Sequence, residues 1–462
     1  MSEKYRIEKD LLGELEVPED AYWGINTQRA IQNFNISTRR FPLSFLFALA
    51  KVKKACLEAN LKLKVIDDEK AKVIIKAIDE FLIEGKFRDQ FPLDVFQTGS
   101  GTQINMNMNE VLANRANELL GSPKGKKIPI HPNDHVNKSQ SSNDVIPTAM
   151  HISALEEIEN SLLPAVDVLI STLKEKIEQF KNIIKIGRTH LQDAVPIPLS
   201  TEFQVYQHQI EINKARLISV CKELSYLPLG GTALGTGLNA PKDFDKLAIL
   251  NLCKITGFSL KINAVKAEGI ASHNTIVRVS STLKLLALSL LKMANDIRWM
   301  GSGPRAGLGE LLLPQNEPGS SIMPGKINPT QSEALIQVCI QVIGNDTTIS
   351  FAEGYSSILD LNVAKPIMIF NLLDSIEILT NSILSFAGKC LTGLEANEEK
   401  INYYLEKNLM IVTKLTPIIG YEQAGEIAKR AYLSGKTIKE TIKAMNLDIE
   451  NIDQILDPKK MV

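Results

Sequence analysis

Apolar residues recur at steps of three and four through the middle of the chain: Ile152, Leu155, Ile158, Leu162, Val166, Leu169, Leu173, Ile177 and Phe180. Residues so spaced stack on one face of an α-helix, so the stripe predicts a single long helix. Pro164 lies inside the stripe and predicts a kink rather than an end. A second stripe runs Phe203, Tyr206, Ile210, Leu217, Cys221 and Leu224, and a third long helix is predicted over 277–300. From Leu283 to Leu291 the third is apolar nearly all round, the pattern of a helix buried on every side at the centre of a bundle or against a second subunit. Shorter helical patterns cover 333–343 and 368–384. The chain therefore reads as mainly α with a central bundle of long helices. An extended start and shorter helices precede the bundle, and a small lysine-rich helical unit follows it, giving three segments: 1–139, 140–396 and 397–462. A chain of 462 residues exceeds the ~250 to 300 at which single cores stop growing, so more than one core is expected.

Charge narrows the partners. Lys and Arg number 52 against 53 Asp and Glu, so nothing in the net balance favours nucleic acid or an anionic membrane, and any anion must be held locally. The five cysteines (Cys56, Cys221, Cys253, Cys339, Cys390) are scattered and form no C-x-x-C pair, which argues against a disulfide framework, a zinc site or an iron–sulfur cluster and for a reducing compartment. The opening residues lack the apolar stretch of a secretory signal and carry too many acids for a transit peptide, so a cytoplasmic protein is expected. No stretch reaches the roughly 18 apolar residues of a membrane span. The nearest, Leu283 to Leu291, is short and interrupted by Lys284 and Ser289.

Chemistry concentrates in the polar stretches between helices. Gly319-Ser-Ser-Ile-Met-Pro-Gly-Lys-Ile-Asn-Pro-Thr-Gln-Ser-Glu-Ala334 combines hydroxyls, a lysine, two glycines and two prolines. Glycines give it points of motion and prolines stiffen it between them, as a lid over a substrate requires. Asn328, Pro329 and Gln331 fit an N-cap, a first-turn proline and a capping glutamine, which sets Lys326 beside a positive helix end where an arriving anion compensates both. Thr98-Gly-Ser-Gly-Thr-Gln103 alternates hydroxyls with glycines, suited either to a carboxylate or to a tight turn into a helix. Ser141-Ser-Asn-Asp144 precedes the long helix, so one of these residues is its N-cap. His131-Pro-Asn-Asp-His135 places two histidines at metal-like spacing, but the residues between them predict a turn, an Asx turn or weak anion site rather than a metal-binding helix face. Gly187-Arg-Thr-His-Leu-Gln192 carries a histidine in a polar stretch, a candidate general acid or base. Gly235-Thr-Gly-Leu-Asn-Ala240 matches a dinucleotide fingerprint by letter but lacks its strand–turn–helix setting.

Together these segments resemble the fumarase/aspartase superfamily of lyases, and within it the class II fumarases, over essentially the whole chain from about Arg6 to Met461. The match is most specific at Gly319 to Ala334, with G-S-S-x-M-P-x-K-x-N-P present without a gap, and the other segments follow in the family's order. Three positions favour fumarase over aspartate ammonia-lyase: Ser100 with Gln103, His190, and Gly325 before Lys326, where the ammonia-lyase pattern has Ala with Ser, Gln, and Ala. A non-catalytic structural protein on the same scaffold is disfavoured by the presence of Ser320, His190 and Lys326.

The resemblance implies a three-domain fold whose central long-helix bundle forms the core of a homotetramer, with each active site built from three subunits. It implies reversible hydration of fumarate to L-malate without a metal or other cofactor, and no nucleic-acid or membrane partner. It assigns Ser320 as base, and His190 paired with Glu333 as the acid working through a water. Ser100, Gly101, Thr102, Ser141, Ser142, Asn143, Thr189, Ser321, Lys326 and Asn328 become substrate contacts. His131, Pro132, Asn133 and Asp134 match a secondary anion site, in doubt because His135 stands where many fumarases carry Asp.

Overall fold

The computed structural model describes residues 4–462; Met1 to Glu3, part of the stretch read above for a leader, lie outside the described residues. The extended start is an antiparallel hairpin of β1 (Tyr5–Asp10) and β2 (Gly13–Pro18), with Tyr5 opposite Pro18. Helices dominate thereafter: α1 (Ile25–Asn33), α2 (Leu43–Lys62), α3 (Asp68–Leu82), α4 (Thr102–Leu119), α5 (Ser142–Glu157) and α6 (Leu163–Phe180). A second hairpin, β3 (Ile184–Thr189) and β4 (Gln192–Pro198), leads into α7 (Leu199–Leu224), α8 (Phe244–Thr256), the short α9 (Glu268–Ala271), α10 (Asn274–Met300), α11 (Thr330–Ser356), α12 (Lys365–Phe386) and α13 (Glu398–Lys407).

By internal contact the chain falls into two compact units, one of Met1–Pro164, Ala215–Leu285 and Ile340–Leu379, the other of Ala165–Lys214, Leu286–Cys339 and Thr380–Val462. In the first, α2 packs against α3, α5 and α8, with Phe45, Leu49, Val52 and Cys56 fully buried. In the second, β3 packs against α13, and β4 against the residues that follow it. A small apolar cluster of Ile411, Val412, Leu415, Ile427, Ala431, Ile438 and Ile442 centres the last residues.

Four expectations change. The predicted kink at Pro164 takes the form of a π turn at Ile158–Leu162, where the Leu163 N–H reaches back to the Ile158 carbonyl. Widening the helix just before a residue with no N–H relieves the bond the proline cannot make. The helix predicted over 333–343 runs from Thr330 to Ser356. Asn345 and Asp346 broke its apolar stripe, yet both are buried, Asn345 donating to Asp374 at 2.8 Å and Asp346 accepting from Ser280 at 2.8 Å. The helix around Leu286 is not buried all round within the chain: Leu283, Leu286 and Leu290 are fully buried, but Leu285 is 40% and Leu288 45% exposed. Finally, the longest apolar segment is Lys365–Leu391, not 283–291. It has the length and hydropathy of a membrane span, as core helices also do; Met368, Ile369, Leu372, Ile376 and Ile383 are fully buried in it.

One carboxylate organises the start of the first unit. α1 has no side-chain cap of its own, and fully buried Glu110 from α4 replaces it, accepting from the N–H groups of Gly24 (3.0 Å), Asn26 (2.9 Å) and Thr27 (3.0 Å) and from the Thr27 hydroxyl (2.7 Å). Glu110→Ala leaves these donors buried without an acceptor, so urea denaturation is expected to show a loss of about 3–5 kcal/mol.

Candidate active site

In the first unit, the N-termini of α4 and α5 meet through a chain of hydroxyls. Ser100 Oγ lies 2.8 Å from Thr102 Oγ1, which lies 2.8 Å from Ser142 Oγ. Gly101, just ahead of α4, sits at φ +76°. Gly99 is fixed more tightly still: its carbonyl accepts from the Lys365 N–H at 3.0 Å, and a Cβ there would fall 1.5 Å from the Val363 carbonyl oxygen. Ser141 is the N-cap of α5 in a reciprocal capping box, its hydroxyl accepting from the Asn143 N–H (3.2 Å) while Asp144 accepts from the Ser141 N–H (2.9 Å). Two positive helix ends, three linked hydroxyls and the Asn143 amide thus lie close together, an arrangement chemically suited to a carboxylate. Ser100 is buried; Thr102, Ser141, Ser142 and Asn143 are half-buried.

Asp144 also reaches a loop that sequence reasoning left out of the site. Its second oxygen accepts from the N–H groups of Gly230 (3.0 Å) and Thr232 (2.9 Å), and Asn143 Nδ2 donates to the Ala233 carbonyl (2.9 Å). Burial pushes the Asp144 carboxyl up to about 6 despite these donors. The available signal was the S-x-x-D spacing, which marks a cap without revealing what the carboxylate's other oxygen holds. The Gly235–Ala240 stretch lies in this loop region, without strand or helix of its own.

The residues between His131 and His135 form a single π turn over Pro132–Val136, not the turn without helical character that the sequence suggested. His131 caps it, its Nδ1 accepting from the N–H groups of Asn133 (3.2 Å) and Asp134 (3.3 Å), while its own N–H donates to His135 Nδ1 (2.8 Å). Proline at the first position and an accepting imidazole before it start a helical turn that the composition alone does not announce. Asn133 and Asp134 are exposed and Pro132 is buried. Burial, then neighbouring Lys70, hold the His135 imidazole below its ordinary value. Among the described residues no cluster of three or more His, Cys, Asp or Glu is arranged to hold a metal ion.

The second unit carries the remaining candidates. Thr189 and His190 stand exposed at the end of the β3–β4 hairpin, whose central residues His190 and Leu191 have φ of +57° and +58°. That is the backbone of a tight primed turn, normally built from Asn and Gly. Arg188 anchors its base by donating to fully buried Glu310 at 2.8 Å, and Lys185 donates to Glu202 at 2.9 Å. The imidazole is thereby projected from a rigid support.

The 319–328 loop closes on itself. The Gly319 N–H donates to the Lys326 carbonyl (3.0 Å), and the Asn328 side chain donates to the Gly319 carbonyl. Ser320 Oγ accepts from the N–H groups of Met323 (3.0 Å) and Ile322 (3.3 Å), donors that favour a negative charge on that oxygen. Ser321 and Lys326 are exposed and have no side-chain partner among the described residues. Asn328 is not the N-cap expected: α11 begins at Thr330, the Pro329 carbonyl accepts from the Glu333 N–H, and Gln331 accepts from Ser385 rather than capping. With its amide spent on Gly319, Asn328 ties the loop's two ends. Glu333 is exposed on the first turn of α11, and no ion pair joins it to His190 within the chain.

Residues 13–344 match a family model described as lyase, and residues 411–462 match one described as fumarase C C-terminus. The chain is 52% identical over 440 residues to a class II fumarate hydratase of Thermosynechococcus vestitus, covering 95% of this chain and 94% of that one. It is 49% identical over 463 residues to a mitochondrial fumarate hydratase of Rhizopus oryzae, covering 100% and 93%. The crystal structure of recombinant class II fumarase from Schistosoma mansoni superposes with a TM-score of 0.96 at 41% identity, over 99% of each chain.

Gly99→Ala forces a methyl group onto a backbone carbonyl, and thermal unfolding is expected to show a loss of at least about 3 kcal/mol together with displacement of the 98–102 loop.

Proposed function

The chain belongs to the class II fumarate hydratase family of lyases, and on that premise we propose that it adds water reversibly to fumarate to give L-malate, using the residues described above. In the malate direction a base takes the proton from the carbon beside one carboxylate, the C–O bond on the next carbon breaks, and that carboxylate carries a second negative charge in between. Ser320 is the base. The observation that carries this role is its hydroxyl oxygen facing the Ile322 and Met323 N–H groups, because an alkoxide is too basic to persist without such donors. Lys326 and Ser321 face outward and unpartnered, free to meet substrate, while Asn328 shapes the loop and contacts substrate from it. Ser100, Gly101, Thr102, Ser141, Ser142 and Asn143 hold a carboxylate at the paired helix ends, and Thr189 supplied by another subunit is a further carboxylate contact.

His190 delivers or removes the hydroxyl group as water, oriented by a partner carboxylate from Glu333. Both are exposed and unjoined in the single chain, which supports a homotetramer in which different subunits supply the parts of each site. The exposed Leu285 and Leu288 of an otherwise apolar helix support the same assembly. The division into segments 1–139, 140–396 and 397–462 accompanies that reading, with the small cluster around Leu415 as the core of the last. His131 to Asp134 form a secondary anion site. The reaction runs on these side chains without a metal, and the five unpaired cysteines fit a cytoplasmic, reducing setting.

Purified protein mixed with L-malate in the presence of a chelator is expected to generate the ultraviolet absorbance of the fumarate double bond, and L-aspartate is expected to give none. A rise with aspartate alone would overturn the assignment. Ser320→Ala is expected to keep its assembly and lose on the order of 10²–10⁴ in kcat; full turnover would remove Ser320 as the base.

A further inference from the structure

Lys53 lies in the middle of α2 with its side chain fully buried, and among the described residues it has no ion pair. Its ammonium donates instead to two neutral amides, Asn137 Oδ1 at 2.8 Å and Gln140 Oε1 at 3.0 Å. An uncompensated buried charge is among the most costly features a fold can carry, and substituting a neutral residue ordinarily stabilises. Everything around Lys53 nevertheless serves to keep it. Asn105 and Asn109 from α4 donate to the same Asn137 oxygen, at 3.2 and 3.1 Å, fixing it toward the ammonium. Asn137 Nδ2 in turn donates to the Gln140 carbonyl at 3.2 Å. Gln140 directly precedes Ser141, the N-cap of α5.

We propose that Lys53 is a positioning residue for the dicarboxylate reaction, holding the 137–141 turn under the N-terminus of α5 and adding an unpaired positive charge that strengthens anion binding at Ser141, Ser142 and Asn143. The inference rests on reading that surface as a substrate carboxylate site. Among the described residues no carboxylate lies within ion-pair distance of Lys53, so although Asp144 offsets part of its charge, the remainder adds to the N-terminus of α5. Lys53 touches no reacting atom, so its effect falls on substrate affinity rather than on the chemical step.

The groups facing Lys53 are Asp144 from α5 and Cys56 from its own helix, with neutral amides from α4 and the turn. Burial holds the Lys53 ammonium down to about 7, and burial raises the Cys56 thiol well above its ordinary value, leaving it neutral. Lys53 is therefore fully charged only well below pH 7 and loses its charge as pH rises through about 7, which weakens anion binding on the alkaline side.

In the assembled protein at pH 6.5, Lys53→Met is expected to raise KM for fumarate at least about tenfold while kcat changes less than about threefold. The wild-type rise in KM between pH 7 and 8 is expected to be absent in this variant. Asn137→Asp keeps the lysine but places a carboxylate against it, and is expected to raise KM in the same way, which decides the matter if Lys53→Met does not assemble. An unchanged KM in either folded variant, a loss confined to kcat, or an alkaline rise that survives in Lys53→Met overturns the proposal. If the wild type turns over neither malate nor fumarate, the functional reading fails instead; turnover with unaffected variants removes Lys53 alone.

Discussion

The site in the first unit depends on a buried carboxylate that holds backbone N–H groups. Asp144 takes the Ser141 N–H with one oxygen and those of Gly230 and Thr232 with the other, so the start of α5 and a loop nearly ninety residues away are fixed by one side chain. The spacing of Ser141, Ser142 and Asn143 follows from it. A neutral residue of the same size has only one oxygen to offer, and the second loop would lose its acceptor. Thr232 shows what this clamp sustains: a β-branched residue at φ +55°, a backbone state its side chain resists.

The same device recurs in this protein. Glu110 gathers the N–H groups opening α1, and Glu310 anchors Arg188 and Lys185 at the base of the hairpin that presents His190. Both acids are fully buried, Glu110 offset by backbone N–H groups and Glu310 by two cationic side chains, and the segment Glu310 fixes bears candidate chemistry. The strained pair His190 and Leu191 persists because the strands below it are held in this way. The 319–328 loop is the contrast, tied to itself by Gly319 and Asn328 while its Ser321 and Lys326 side chains remain outward.

Recognition and catalysis make opposite demands on these groups. The hydroxyls at the helix ends are buried or half-buried and interlocked, so their positions are set within the chain and little ordering would remain to oppose a ligand. His190, Glu333 and Lys326 are exposed and have no ion-pair partner among the described residues, so nothing within them fixes those side chains.

The sequence by itself determined the helical character of the chain, a cap within Ser141 to Asp144, and the motifs at Thr98, Gly187 and Gly319, because each is a local property of residue type and spacing. It missed the far end of α11, where buried Asn345 and Asp346 interrupt the apolar stripe but find partners from other helices. It placed the cap at Asn328, whose amide is taken by Gly319 across a loop. It read the helix at Leu286 as buried in a bundle or against a second subunit, and apolar letters do not say which side the chain itself covers. The partners of Asp144 in the 230–232 loop and the burial of Lys53 beneath Asn137 and Gln140 were invisible for the same reason. A polar side chain's role depends on which groups reach it, and those come from distant segments that only the tertiary structure brings within hydrogen-bonding distance.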